Sequence, residues 1–197
     1  MKINKLLVVT LLSAGLLLAG CGAKKDGNKD NTPSGDPTDP SGEPQETWNE
    51  MAYANFKAEY DAKQEAPYNH VESMYGDSTG VNPDGTLKLY KVVEDYLNGQ
   101  WTLNVTESDE GVGGGIVGYF GMMIGQTIQQ MGNPPEGATA TAYKSSNNRY
   151  KIETSFPQQG GTITIHLVMD KYFYGEEFIQ KSNAQNVLEC YSTWSTK

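Results

Sequence analysis

Three stretches in the second half of the chain alternate apolar and polar residues with a period of two, and this limits the possible folds more than any other feature. Trp101, Leu103 and Val105 alternate with Thr102, Asn104 and Thr106. Tyr150, Ile152 and Phe156 share one face of Arg149–Phe156, with Arg149, Lys151 and Glu153 on the other. Ile163, Ile165, Leu167 and Met169 do the same in the next stretch. Side chains alternate across a strand, so each stretch reads as a strand with one face in a core. The links between them are short: Ser145-Ser146-Asn147-Asn148, then Pro157–Gly161, then Asp170-Lys171 leading into Tyr172-Phe173-Tyr174. Short links force antiparallel neighbours. With Thr139–Lys144 and a last strand at about Val187–Ser195, the spacing predicts a meander of five or six strands.

Ahead of the meander the period is closer to that of a helix. Trp48, Met51, Ala52, Phe56 and Tyr60 recur at helical spacing and predict a helix over Trp48–Lys63. Leu89, Tyr90, Val93 and Leu97 predict a second over Thr86–Leu97, with Asn98-Gly99 as its C-cap. Tyr68–Gly80 shows no clear period. Helices followed by an antiparallel sheet make an α+β domain with helices on one sheet face.

A strip between these regions, from Glu110 to Glu136, has no charge at all between its ends. Wound as a helix, it places Gly114, Gly118, Gly121 and Gly125 within an arc of roughly 60°. Ile116, Val117, Phe120, Met123, Ile124, Ile128 and Met131 lie beside them. Each glycine costs a helix about 1 kcal/mol relative to alanine, so the stripe suggests close approach by a neighbour. Packing on the sheet, covering a cavity as a lid and lying in a lipid interface all remain open.

The start of the chain is an export segment. Lys2 and Lys5 precede an apolar run from Leu6 to Leu18, and small residues follow. Leu18-Ala19-Gly20-Cys21 resembles the lipobox of bacterial lipoproteins. The resemblance implies cleavage between Gly20 and Cys21 by lipoprotein-processing enzymes. It also implies a diacylglyceryl cysteine at Cys21 with acyl chains such as palmitate, and a cell-membrane anchor facing out of the cytoplasm. Residues 1–20 are then signal peptide, 21–46 a lipid-anchored linker and 47–197 a single domain. Gly22–Glu46 is rich in Gly, Pro, Ser, Asp and Asn, with too little apolar surface to fold. As a flexible coil it spans about 25–30 Å.

Composition excludes several functions. The formal charge is −9, and cleavage of Lys2 and Lys5 leaves a more acidic product, which opposes nucleic acid as a partner. With Cys21 lipidated, Cys190 is left without a disulfide partner and sits beside Leu188, Tyr191 and Trp194 as a buried inert thiol. The two histidines, His70 and His166, form no metal-ligand pattern, and no nucleophile motif surrounds any serine. Gly113, Gly115 and Gly118 match a dinucleotide fingerprint, but Tyr143-Lys144 stands where its acidic residue is required. The chain reads as a non-enzyme with no cofactor and no metal.

Helices, then strands, with Arg149–Glu153 on one strand and Asp170–Tyr174 as a turn into aromatics two strands on, is similar to the Lol-type (LolA/LolB-like) lipoprotein-carrier superfamily. The resemblance covers about Thr86–Trp194. The lipobox, the tether and the glycine-rich insertion depart from the soluble carriers. It implies a curved, open half-barrel whose concave face holds acyl chains. Tyr150, Ile152, Phe156, Ile163, Ile165 and Leu167 would line that cavity, with Phe120, Met123 and Ile124 of the covering helix. The expected function is binding of a lipophilic or lipid-linked ligand. A second expectation is a surface module that contacts protein or cell-wall glycan with exposed aromatics of Tyr172–Tyr174.

Overall fold

A computed structural model describes residues 46–105 and 115–197. The export segment, Cys21, most of the tether, and Gly113 and Gly114 lie outside these residues. Nine strands and two helices run in the order β1 (Trp48–Met51), α1 (Tyr53–Asp61), β2 (His70–Asp77), β3 (Tyr90–Leu97), β4 (Gln100–Val105), α2 (Ile116–Gly132), β5 (Thr139–Ser145), β6 (Tyr150–Gln158), β7 (Gly161–Met169), β8 (Gly175–Ser182) and β9 (Gln185–Ser195). All strands join one antiparallel sheet in the order β1-β5-β6-β7-β8-β9-β2-β3-β4. The sheet is open, with β1 and β4 at its edges. The class is therefore α+β, with an antiparallel meander as its main body.

Several sequence expectations are corrected. The predicted helix over Thr86–Leu97 is a strand, β3, from Tyr90. Tyr90, Val92, Val93 and Tyr96 are β-branched or aromatic and favour a pleated surface. Asn98 and Gly99 both take positive φ, 52° and 82°, so they form the two-residue turn of a hairpin rather than a helix cap. The predicted first helix begins later, at Tyr53, because Trp48–Met51 pairs with β5 as an edge strand. His70–Asp77, read as irregular, is a central strand between β9 and β3. The strand count among the described residues is nine rather than five or six. The helices do not precede the sheet, since α2 follows four strands. Tyr172–Tyr174 is a turn, and the strand after it starts at Gly175.

One register row shows where the core lies. Met51, Ala142, Ile152, Leu167, Phe178, Cys190, Tyr75 and Tyr90 are successive cross-strand partners from β1 to β3. All face the helices. On α1, Phe56 is fully buried and meets Tyr150 and Phe173 edge-on at 6.0 and 5.8 Å. On α2, Phe120 meets Phe178 at 6.4 Å. The Tyr53 hydroxyl donates to the Ile128 carbonyl and ties the helices together. Burying such side chains contributes about 1.5–3 kcal/mol each.

Candidate functional site

The nine positions expected to line a cavity do converge. Tyr150, Ile152, Ile163, Ile165, Leu167, Phe120, Met123 and Ile124 are buried in one continuous cluster, and Phe156 packs against it half-buried. The residues from the strands are brought together by register, as Ile152 faces Leu167 and Phe156 faces Ile163. Those from α2 arrive at helical spacing on its buried side, with Ile116, Thr127, Ile128 and Met131. Here α2 itself fills the space above the strands.

The glycine stripe faces the other way. Around Gly118, Gly121 and Gly125, a Cβ atom would meet nothing within 4 Å. Beside them Met122 is 51% exposed. The expectation that these glycines admit a close neighbour is thus corrected. Neighbours do come close at other glycines, among them Gly115 and Gly175. A Cβ on Gly175 would strike the Phe120 ring, and one on Gly115 would strike the Glu94 carboxylate.

Glu94 is the polar centre of this region. It sits on β3 in the same face as Tyr90 and Val92 and is 2% exposed. Its Oε2 accepts from the Val117 backbone N–H at 2.7 Å. No side chain of α2 caps its own N-terminus, and no acidic residue lies in its first turn. A strand carboxylate therefore satisfies helix donors that would otherwise be orphaned. Burial pushes the Glu94 carboxyl above its ordinary value, outweighing the lowering by the Val117 and Ile116 N–H groups. Nearby, Cys190 is free and buried, and burial pushes its thiol up to about 12.

Two clefts open elsewhere. The larger, of about 550 Å³, lies over β5–β8 and includes Thr141, Glu153, Thr164, His166, Glu177 and Lys181. Of the expected cavity residues it touches only Ile165. His166 stands between Glu153 and Glu177, at 3.6 and 3.8 Å. Burial alone would raise the Glu153 carboxyl, but Lys151 and His166 bring it below its usual value. The smaller cleft, of about 350 Å³, lies at the end of the sheet and includes Tyr68, Arg149, Asp170, Glu176, Tyr191 and Trp194. Beside it runs a chain of ring contacts through Tyr96, Trp101, Trp194, Tyr174, Tyr68 and Tyr172, with centroids 4.6–6.0 Å apart. Asp170 and Glu94 escaped sequence reasoning, because nothing local shows that a strand glutamate or a turn aspartate will be buried.

Among the described residues, no group of three His, Cys, Asp or Glu side chains could hold a metal ion. No described helix is long and apolar enough to cross a membrane. No family model, curated protein or solved structure matches the chain.

Proposed function

We propose that this chain is a membrane-tethered, extracytoplasmic lipoprotein without catalytic activity, and that it holds a lipophilic or lipid-linked ligand between α2 and the apolar face of its sheet. In this reading the open sheet is a curved half-barrel, and α2 is the cover that a ligand displaces. One observation carries it. The helix-facing side of the sheet is apolar along a row of eight strands, and α2 covers its middle with Phe120, Met123, Ile124 and Ile128. An acyl chain and this helix face offer the sheet the same chemistry, so a chain that displaces the helix replaces its contacts with the sheet. The uncharged, glycine-bearing outer face of α2 suits a helix that moves next to lipid.

The test is mass spectrometry of organic extracts from the purified chain lacking its lipidation segment, with binding of a fluorescent fatty acid measured alongside. Co-purified lipid and saturable fatty-acid binding are expected. A chain that comes away empty under mild purification and ignores the fatty acid is no carrier.

The aromatic chain from Tyr96 to Tyr172 favours a second reading, a surface module for protein or cell-wall glycan. Tyr96 is exposed and its five partners are half-buried. Aromatic faces at a surface commonly anchor partners. Under this reading Trp101→Ala abolishes retention on cell-wall polymer and leaves fatty-acid binding unchanged.

A further inference from the structure

The tip of the β3–β4 hairpin sets an exposed side-chain amide next to a free backbone donor. Asn98 and Gly99 are the whole of the turn, since Leu97 pairs with Gln100, and both are exposed. Their positive φ values make it a tight two-residue turn. Among the described residues, none accepts from the Gly99 N–H. A Cβ at Gly99 would meet nothing within 4 Å. The tip can therefore rotate without disturbing a neighbour.

Asn98-Gly99 is the one Asn-Gly pair in the chain. An asparagine side chain is open to attack by the backbone nitrogen that follows it, and glycine leaves that nitrogen uncrowded. The other described asparagines are protected. Asn82 and Asn133 precede proline, which has no N–H. The nitrogen after Asn147 donates to the Ser145 carbonyl, and the one after Asn148 to the Ser145 hydroxyl. The side chain of Asn183 is held, accepting from the Thr162 N–H and donating to the Gly160 carbonyl. Asn55 lies in α1, where the Phe56 N–H is bound to the Ala52 carbonyl. Asn49, Asn69, Asn104 and Asn186 are each followed by a bulkier residue inside a strand. Even the Asp84-Gly85 pair has its Gly85 N–H engaged, on the Asn82 carbonyl at 2.9 Å.

We propose that Asn98 is a site of spontaneous deamidation, and that the isoaspartate it forms loosens β4. The Gly99 nitrogen gives its proton to solvent and bonds to the Asn98 side-chain Cγ. The bond from Cγ to the side-chain nitrogen breaks, and ammonia leaves with a proton from solvent. Water then opens the five-membered imide at one of its two carbonyls. Opening at the main-chain carbonyl carries the backbone through the side chain and gives isoaspartate at position 98; opening at the other gives aspartate. No oxidant or cofactor enters. Isoaspartate puts an extra carbon into the main chain of a turn that fixes the register of both strands. The edge strand β4 is paired with β3, whereas β3 is also paired with β2, so β4 is the strand to loosen. The site does not depend on the carrier reading.

The test incubates the full, folded chain at physiological temperature, at pH 6 and pH 8, for a month. Peptide mass spectrometry follows replacement of a side-chain NH₂ by OH at each asparagine. Conversion at Asn98 is expected to run at least tenfold faster than at any other described asparagine, and faster at pH 8, because the attacking nitrogen must lose its proton. Asn98→Gly keeps a pair suited to this turn and is expected to remove the conversion. The aged isoaspartyl form is then separated and its backbone hydrogen exchange measured. Its β4 amides are expected to exchange at least tenfold faster than in fresh wild type, with β2 unchanged. Freshly purified Asn98→Asp carries the new charge without the extra carbon and is expected to keep β4 protected. An unconverted Asn98 after the month, or faster conversion at another described asparagine, overturns the site. Unchanged β4 exchange in the isoaspartyl form, or equal loss in N98D, overturns its consequence.

Discussion

Glu94 carries a negative charge into the core and delivers it to a helix N-terminus, and these two effects pull its proton affinity in opposite directions. Charge at the start of α2 is favourable, by about 0.3–1 kcal/mol in ordinary settings. Burial is unfavourable to the same charge and here prevails, since the carboxyl is raised overall. The sign of the pH dependence follows. A folded-state value above the unfolded one means that the stabilising contribution is complete below the unfolded value and is lost as pH rises through the folded one. Glu94→Gln retains an acceptor oxygen for Val117 and removes the charge. Urea unfolding of both proteins from pH 4 upward is expected to show the wild type losing stability relative to E94Q as pH rises. By pH 7 the variant should be the equal of the wild type, or better by about 1 kcal/mol. Taking the difference cancels Glu59, whose carboxyl is lowered by Lys144 and Tyr150 and acts in the opposite sense in both proteins. Glu94→Ala leaves helix donors buried without an acceptor and is expected to cost about 1–3 kcal/mol.

At the scale of elements, a glycine of α2 and the β8 glycine that α2 packs against have opposite surroundings, which sequence periodicity cannot tell apart. Gly121 points into open space, whereas Gly175 receives the Phe120 ring. Opposite outcomes are expected from the same substitution. Gly121→Ala gains helix propensity and should stabilise by up to about 1 kcal/mol. Gly175→Ala overpacks the core and should destabilise by about 1–3 kcal/mol. Thermal unfolding of the two variants checks both signs. The same elements show what the sequence made legible. Alternation located β4, β6 and β7 and placed Ile152, Leu167 and Ile163 in the core, because a half-buried strand writes its exposure pattern directly into its residues. It failed for β3, where Leu89, Tyr90, Val93 and Leu97 happen to fall at helical spacing and where Glu94 and Asp95 are buried on opposite faces. Hairpin chemistry at Asn98-Gly99 was the better guide there. For β2, pairing with β9 joins residues more than a hundred positions apart, such as Ser73 and Ser192, and no local period reports such a partner. The expected cavity residues were found as a group, while the buried acids Glu94 and Asp170 were not, since burial of a charge is decided by tertiary neighbours.

For the whole molecule, the decisive relation is between an acidic, water-soluble surface and a proposed greasy amino end. The described domain presents mostly polar residues along its outer face, as in the row Thr141, Glu153, His166, Ile179 and Glu189, where only Ile179 is apolar. Its negative charge opposes direct adsorption to an anionic membrane. On the proposed reading, lasting membrane residence then comes from a lipid on Cys21. One acyl chain binds marginally, whereas two chains, each methylene contributing about 0.8 kcal/mol, give stable attachment. Detergent phase separation of whole cells tests this directly. The wild-type chain is expected in the detergent phase with a blocked, lipid-bearing residue at its amino end. Cys21→Ala removes the acceptor thiol, and the expected product retains residues 1–20 as an unprocessed precursor. Its folded part should be unaffected, because the domain begins more than twenty residues later. Normal cleavage of C21A, or wild-type chain in the aqueous phase with an unmodified amino end, would remove the anchor. The membrane-tethered part of the proposal would fall with it, whereas lipid binding by the domain is decided separately by the fatty-acid titration.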